Sequence, residues 1–160
     1  MRTYQITHET TGENQSHTLS IEHYKLLFSV FDSAYYCRKN ALGALSSEKA
    51  WDHFLATGLQ NNLVINAAID NKYLTRSLSV NSGKELNNNE IILLLWLEQG
   101  AESFPGAAWF DTEFYLKHYP DIASTGTNAF LHYAHNGKNE GRIPNAYCLD
   151  LVNRLSLIHI

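Results

Sequence analysis

The sequence contains only two cysteines, three prolines and one methionine among its 160 residues. Two cysteines, Cys37 and Cys148, cannot make the disulfide framework that stabilises small secreted domains, so the sequence favours a reducing compartment. Its 12 lysines and arginines are outnumbered by 16 aspartates and glutamates. This balance argues against a nucleic-acid-binding surface, which clusters basic side chains. We therefore expect a cytoplasmic protein without a nucleic-acid partner.

Long hydrophobic runs are also missing. The longest uninterrupted run, Ile91–Leu97, is far shorter than the roughly 20 residues that a membrane-spanning helix needs. Residues 1–20 are polar and lack the apolar segment of a secretory signal, so they form either a disordered arm or a small hairpin. We expect no membrane span, and the length suits one domain, since domains usually have about 100–200 residues.

What the sequence does contain is an internal repeat of about 40 residues. Aspartates preceded by an apolar residue recur at spacings of 38, 41 and 39 residues, at Asp32, Asp70, Asp111 and Asp150. Glycines follow the first three aspartates after 26, 30 and 26 residues, at Gly58, Gly100 and Gly137. These anchors predict a helical repeat module over residues 21–154, with units at about 31–68, 69–109 and 110–148 and a fourth beginning at 149.

Each unit is predicted to be a pair of helices. Aspartate is a favoured N-cap because its carboxylate accepts hydrogen bonds from the free amides of the first turn, and each anchor glycine suits the left-handed position that closes a helix. Pro120 should end the first helix of the third unit. The helical periodicity of Ile21–Phe31, with Ser20 as its N-cap, predicts an N-terminal capping helix. The expected fold is all-α, a short array of stacked helix-pair repeats.

The last six residues, Leu155–Ile160, have the sequence LSLIHI. This hexapeptide resembles the translation of a common transposase sequencing adapter, and fusion scars of this kind are excluded from fold reasoning. On this interpretation the natural reading frame continues beyond Arg154. The alternative is an ordinary apolar tail.

The third unit resembles a bacterial repeat with the pattern FD-x-x-YYL-x-x-NPDVA-x-x-G-x-NPL-x-HY-x-x-x-G-x-x-EGR-x-P. The matching residues are Phe110, Asp111, Tyr115, Leu116, Pro120, Asp121, Ala123, Gly126, Asn128, His132, Tyr133, Gly137, Glu140, Gly141, Arg142 and Pro144. The first two units lack the Pro-Asp and Glu-Gly-Arg elements. This repeat occurs in the N-terminal region of glycosyltransferases that build cell-surface polysaccharides, including rhamnan-type polymers, and in secreted calcium-binding proteins of the RTX kind.

The resemblance implies a non-catalytic spacer or docking module of such a glycosyltransferase, with any chemistry elsewhere in the parent chain. Its partner would be a protein, either a downstream domain of the same chain or a second copy. Two other functions stay open, a repeat segment of a secreted calcium-binding or adhesin-type protein and a stand-alone interaction scaffold. We expect no catalytic residue, no cofactor and no bound metal.

Two histidines of the third unit have a spacing that can serve metal binding. His132 and His135 lie three residues apart on a predicted helix with Glu140 close behind, and ligands on one helical face can share a zinc ion. His53 takes the place of His132 in the first unit, but Leu95 takes it in the second. The exchange with leucine favours a packed histidine whose ring nitrogen bonds a backbone carbonyl.

Glu140 and Arg142 are the second candidate pair. Arginine suits bidentate contact with a carboxylate or phosphate of a partner. We favour the alternative, in which the two side chains bond each other or the last carbonyls of the helix and fix the turn between units. The repeated aspartates are too far apart for a calcium loop, which places its ligands within about a dozen residues.

Aromatic side chains are the third candidate group. Trp109 and Tyr115 could stack on a carbohydrate partner, although aromatic residues at helical spacing are more often core. No nucleophile elbow, glycine-rich phosphate loop or carboxylate pair supports catalysis, and Cys37 is expected to face the core. If the array is truncated, we expect the apolar side of the third unit around Phe130 and Tyr133 to be exposed and to drive self-association.

Overall fold

The computed structural model describes residues 20–83, 85–86, 92–99, 101 and 103–158. Every regular element in these ranges is helical, so the all-α prediction is confirmed. The polar arm predicted for residues 1–20 lies outside the described residues except for Ser20, and Gly100 lies outside them too. Within those ranges, no helix combines the length and the apolar character needed to cross a membrane.

The described ranges contain nine α-helices. They are α1 Ile21–Val30, α2 Ser33–Lys39, α3 Ser47–His53, α4 Asn71–Ser82, α5 Ile92–Gln99, α6 Thr112–His118, α7 Pro120–Thr125, α8 Ala129–His132 and α9 Ala146–Ile158. Two π-helical turns, Phe54–Gly58 and Tyr133–Gly137, continue α3 and α8 directly. We call α2 and α3 with their π turn the N-terminal pair, α4 and α5 the middle pair, and α6, α7 and α8 with their π turn the C-terminal pair.

The three pairs begin with the same side-chain cap. Asp32, Asp70 and Asp111 stand directly before α2, α4 and α6, and each carboxylate accepts a hydrogen bond from the amide three residues later, at 2.9, 3.1 and 2.8 Å. The fourth residue after each aspartate is completely buried: Tyr36, Leu74 and Tyr115. The cap therefore sets the helix start, and the turn that follows it turns one large side chain into the core.

The C-terminal pair has one helix more than a simple pair. Pro120 ends α6 but also begins α7, where it occupies the first position. A proline is well tolerated there, because its missing N–H would have no partner within the helix. Helix α7 ends at Gly126, whose φ of +67° is left-handed, and Asn128 then caps α8 by accepting from the amide of Leu131 at 3.0 Å.

The fourth aspartate does not behave like the first three. Asp150 lies inside α9 and forms an ion pair with Arg154 at 2.9 Å, so the fourth unit predicted to start at residue 149 does not begin with an aspartate cap. Asn145 caps this helix instead, accepting from the amide of Cys148 at 2.8 Å. An early asparagine cap followed by residues without proline or glycine lets one helix run through the expected turn.

The core is aromatic and continuous through all three pairs. Its largest fully buried side chains include Trp96, Tyr36, Tyr115, Phe54 and Phe130. Phe130 is only 1% exposed and Tyr133 is half-buried, so the expectation of an exposed apolar side at these residues is wrong. Gly106 packs directly against the Phe130 ring and closes that side of the core. Exposed apolar side chains are instead concentrated on α9, at Tyr147, Leu151, Val152, Leu155, Leu157 and Ile158.

Candidate functional site

The two outer pairs are closed by the same tyrosine–histidine hydrogen bond. The hydroxyl of Tyr36 lies 2.8 Å from Nδ1 of His53, and the hydroxyl of Tyr115 lies 3.0 Å from Nδ1 of His132. In each case the partners are 17 residues apart and join the first helix of the pair to the end of the second. The histidine predicted to bond a backbone carbonyl thus bonds a buried tyrosine hydroxyl.

Gly58 and Gly137 do not close their helices in a left-handed conformation, and that prediction is wrong. Neither residue has a positive φ. A Cβ atom at Gly58 would collide with the hydroxyl of Tyr36, and one at Gly137 would collide with the hydroxyl of Tyr115. The glycines are required because the tyrosine hydroxyl approaches the backbone closely.

The left-handed position stands four residues further on in both pairs. Asn62 has a φ of +50° and Gly141 a φ of +73°. The next amides, those of Leu63 and Arg142, donate back to the carbonyls of Gly58 and Gly137, each at 2.9 Å. This six-to-one hydrogen bond past a left-handed residue is the Schellman ending of a helix, displaced by one turn from the position that we expected.

The electrostatics of the C-terminal corner favour neutral partners. Burial raises the pKa of Tyr115 to about 12, so its hydroxyl keeps its proton at neutral pH. Burial, assisted by the nearby Arg142 guanidinium, lowers the pKa of His132 below 6.5. A neutral imidazole can accept the tyrosine proton at Nδ1. With that nitrogen occupied and His135 exposed, the pair is a packing contact, and nowhere in the described ranges do three His, Cys, Asp or Glu side chains gather closely enough to hold a metal ion.

Arg142 and Glu140 bond each other, as we favoured, and include a third residue. The Arg142 guanidinium reaches both carboxylate oxygens of Asp121, at 3.1 and 2.8 Å, and its Nε lies 2.6 Å from Glu140. It also lies 4.8 Å above the Tyr119 ring. The hydrogen bonds to Arg142 lower the pKa of Asp121 below 3.8. The guanidinium is fully engaged within the chain, so it ties α7 to the end of the C-terminal pair.

The backbone joins the start of each pair to the start of the next segment. In all three pairs the amide of the capping aspartate donates to a carbonyl about 35 residues later, a spacing similar to the repeat length. The bonds are Asp32 to Ile65 at 3.0 Å, Asp70 to Gly106 at 2.9 Å and Asp111 to Pro144 at 3.1 Å. Each pair therefore returns the chain to its own beginning, and the next segment starts beside it.

Two asparagines make the same contacts at the outer junctions. The side-chain amide of Asn66 donates to the carbonyl of Val30 at 2.8 Å, and that of Asn145 donates to the carbonyl of Trp109 at 2.7 Å. Asn66 is 1% exposed and makes a further bond to the carbonyl of Ala134 at 3.1 Å. It thereby links the beginning of the molecule to the π turn of the C-terminal pair.

Lys138 completes that link. Its ammonium lies 2.9 Å from Oδ1 of Asn66 and 3.1 Å from Oδ2 of Asp32, at the wall of a polar cavity of about 260 Å³. Burial opposes ionisation of Asp32, but the bonds from the Tyr35 amide and from Lys138 outweigh it and lower the pKa of Asp32 below 3.8. The ion pair holds the two outer pairs side by side.

The sequence-predicted site residues thus fall into three structural groups. Tyr115 and His132 form one corner, and Glu140 and Arg142 form the neighbouring ion cluster. Trp109 stands apart, 41% exposed and packed edge-on against Tyr133, at the surface of the last junction. Sequence reasoning missed Asn66 and Lys138. The asparagine could have been found, because it aligns with Asn145 across the repeat; Lys138 has no such signal.

Comparisons with protein-family models, with curated proteins and with solved structures give no match to this chain.

Proposed function

We propose that the chain is a non-catalytic spacer and docking module built from helical repeats of about 40 residues, with α1 as its N-terminal cap. The observation that carries the proposal is the bond from each capping aspartate to the carbonyl that begins the next segment, which recurs in all three pairs. A fold in which every segment starts beside the previous one is the basis of a repeat array.

The side-chain contacts support the same proposal. The corner residues Tyr36, His53, Gly58 and Asn66 each have a counterpart of the same type exactly one long period later, at numbers 79 higher. The counterparts are Tyr115, His132, Gly137 and Asn145, and the equivalent hydrogen bonds differ by no more than 0.2 Å. Two units two repeats apart thus close in the same way.

The parent protein is, in this proposal, a glycosyltransferase of cell-surface polysaccharide assembly. Support comes from the resemblance of the third unit, whose Pro-Asp and Glu-Gly-Arg elements meet in space. Asp121, Glu140 and Arg142 bond one another, and this gives the motif a packing role that suits a non-catalytic module. A repeat segment of a secreted calcium-binding or adhesin-type protein, or a stand-alone scaffold, remains the alternative.

An internal duplication tests the array. A second copy of residues 66–144 inserted after Pro144 places Asn66 where Asn145 follows now, so the junction contacts can form again. We expect a monomer with a proportionate gain in helical circular dichroism and a higher melting temperature, because added repeats add interfaces. The same insert placed after Thr75, inside α4, is the control and should unfold. A junction insert that stays unstructured would contradict the array.

The genomic reading frame tests the parent. Sequencing of the source DNA past the codon for Arg154 should continue into a nucleotide-sugar-binding α/β domain. Glycine- and aspartate-rich nonapeptide repeats would favour the secreted class, and a stop codon directly after residue 160 would favour the scaffold. Calcium titration of the purified chain adds a check, since the secreted class predicts calcium binding and the glycosyltransferase module does not.

A further inference from the structure

The N-terminal pair carries an open groove beside α2. Its volume is about 680 Å³, within the range of sites that hold a ligand of several residues. The groove is bordered by small or apolar side chains and one cation, Ala34, Cys37, Ala41, Ala44, Leu45 and Arg38. It lies on the outer side of α2, away from the Tyr36–His53 corner.

The C-terminal pair covers the corresponding region with a helix of its own. There the segment after α6 forms α7, which packs on α6 and buries Ile122 to 7% exposure. Asp121, the residue before it, stays at the surface and pairs with the Arg142 guanidinium at 2.8 Å. An aliphatic side chain in the fold and a carboxylate on a cation thus hold this cover in place.

The N-terminal pair has no equivalent cover. The residue at the position of Ile122 is Gly43, which has no side chain to insert. Its φ of +71° and the φ of +54° at Ala41 are left-handed, so this segment cannot form the helix that α7 forms. The side of α2 that carries Ala34 and Arg38 is exposed as a result.

The rim of the groove has a charge that the C-terminal cover would satisfy. Arg38 lies in the last turn of α2 beside Lys39, and none of the ion pairs within the described ranges involves Arg38. A carboxylate on an incoming segment would meet a guanidinium suited to bidentate contact. A branched aliphatic side chain next to it would meet Ala34, Cys37 and Ala44.

We infer that this groove docks a short segment of a partner protein in which an acidic residue precedes a branched aliphatic residue, as Asp121 precedes Ile122 in this chain. The inference rests on the proposed docking function and specifies the chemistry of its partner. The segment would supply from outside the aliphatic side chain and the carboxylate that α7 supplies internally to the C-terminal pair.

A synthetic peptide of sequence YPDIASTG, taken from Tyr119–Gly126, tests the inference. Titrated into the full chain labelled with ¹⁵N, it should shift the amide signals of Ala34, Cys37 and Ala44 saturably. Replacing the isoleucine of the peptide by alanine, or its aspartate by asparagine, should weaken binding at least about tenfold, the factor expected for the loss of roughly 1.4 kcal/mol.

Three variants of the protein localise the effect. Arg38→Glu should weaken binding at least about tenfold, and Ala34→Leu should block the groove while leaving the melting temperature unchanged, because Ala34 is exposed. Lys117→Glu is the matched control: it makes the same charge change at the corresponding position of α6 and should bind the peptide normally.

The inference is overturned if millimolar peptide causes no saturable shift, if the shifts lie elsewhere, or if Arg38→Glu and Ala34→Leu bind as the unchanged protein does. The duplication experiment separates this failure from failure of the proposed function. A duplicated array that folds while the peptide does not bind removes only the groove, whereas a duplication that does not fold removes the array itself.

Discussion

The N-terminal and C-terminal pairs close the same corner but fasten the turn beside it by different means. In the C-terminal pair, the Arg142 cluster ties α7 down, and the amide of Ile143 donates to the hydroxyl of Tyr119 at 2.7 Å. In the N-terminal pair, Asn40 replaces Tyr119, and its side-chain amide donates to the carbonyl of Val64 at 3.2 Å. A neutral hydrogen bond and an ion cluster serve the same place.

The difference shows which contacts the two pairs cannot exchange. Tyrosine, histidine and glycine occur in both corners, where a buried hydroxyl must find a partner and the backbone must come close. The fastening of the turn lies nearer the surface, where several solutions serve. The middle pair goes further, with Leu74 and Leu95 in place of the tyrosine and histidine, and so replaces the polar corner by apolar packing.

The largest effect should come from filling the space at the corner glycines. Gly137→Ala puts a methyl group against the Tyr115 hydroxyl and should reduce the free energy of unfolding by about 2–3 kcal/mol, through overpacking and loss of the bond to His132. Urea unfolding followed by circular dichroism measures it. Gly58→Ala should cost at least as much, since its Cβ would also meet the Phe54 ring at 2.9 Å.

The double variants sharpen this comparison. Tyr115→Phe removes the hydroxyl and should restore most of the stability that Gly137→Ala loses. Tyr36→Phe should rescue Gly58→Ala less, because the contact with Phe54 remains. Additive losses in both double variants would show that the glycines serve some other need than room for the hydroxyl.

Next in size is the link between the two outer pairs. Lys138→Met keeps the aliphatic stem but removes the ammonium from Asn66 and Asp32, and should reduce the free energy of unfolding by about 1–2 kcal/mol. The exposed Lys117 is the control, and Lys117→Met should change stability little. Equal effects of the two substitutions in urea unfolding would mean that the ion pair does not hold the pairs together.

These positions also show how far the sequence could predict the fold. An aspartate cap depends on an amide only three residues away, so Asp32, Asp70 and Asp111 were accessible to local reasoning. The reason for Gly137 depends on a tyrosine in the preceding helix, which no local pattern contains. The start of α9 was misjudged because Asn145 and Asp150 are both good caps, and the choice between them depends on what packs around them.

The Arg142 cluster should have a smaller effect. Arg142→Lys keeps the charge but loses the bidentate contact with Asp121, so the melting temperature should fall by less than in Lys138→Met. The difference from the unchanged chain should shrink in about 1 M salt, since exposed ion pairs are screened. A difference that grows with salt would show that Arg142 acts through its packing on Tyr119 instead.

The smallest effect concerns pH and the C-terminal histidine. Because the pKa of His132 is lowered in the folded state by burial and by Arg142, the unfolded chain binds more protons once the pH falls below about 6.5. Folding stability contributed by neutral His132 is therefore complete above that pH and is lost as the pH falls towards the lowered pKa.

His132→Leu copies the middle pair, where Leu95 stands at this position, and should flatten the dependence of the free energy of unfolding on pH between about 7 and 5. Glu140, Asp121, Arg142 and His135 all act on the charge of His132 and are retained in this variant, so the comparison isolates one imidazole. His135→Leu is the matched control, because His135 is exposed and lies on the same helical segment. If both variants keep the slope of the unchanged chain, proton uptake by His132 does not contribute to stability, and the corner is held by packing alone.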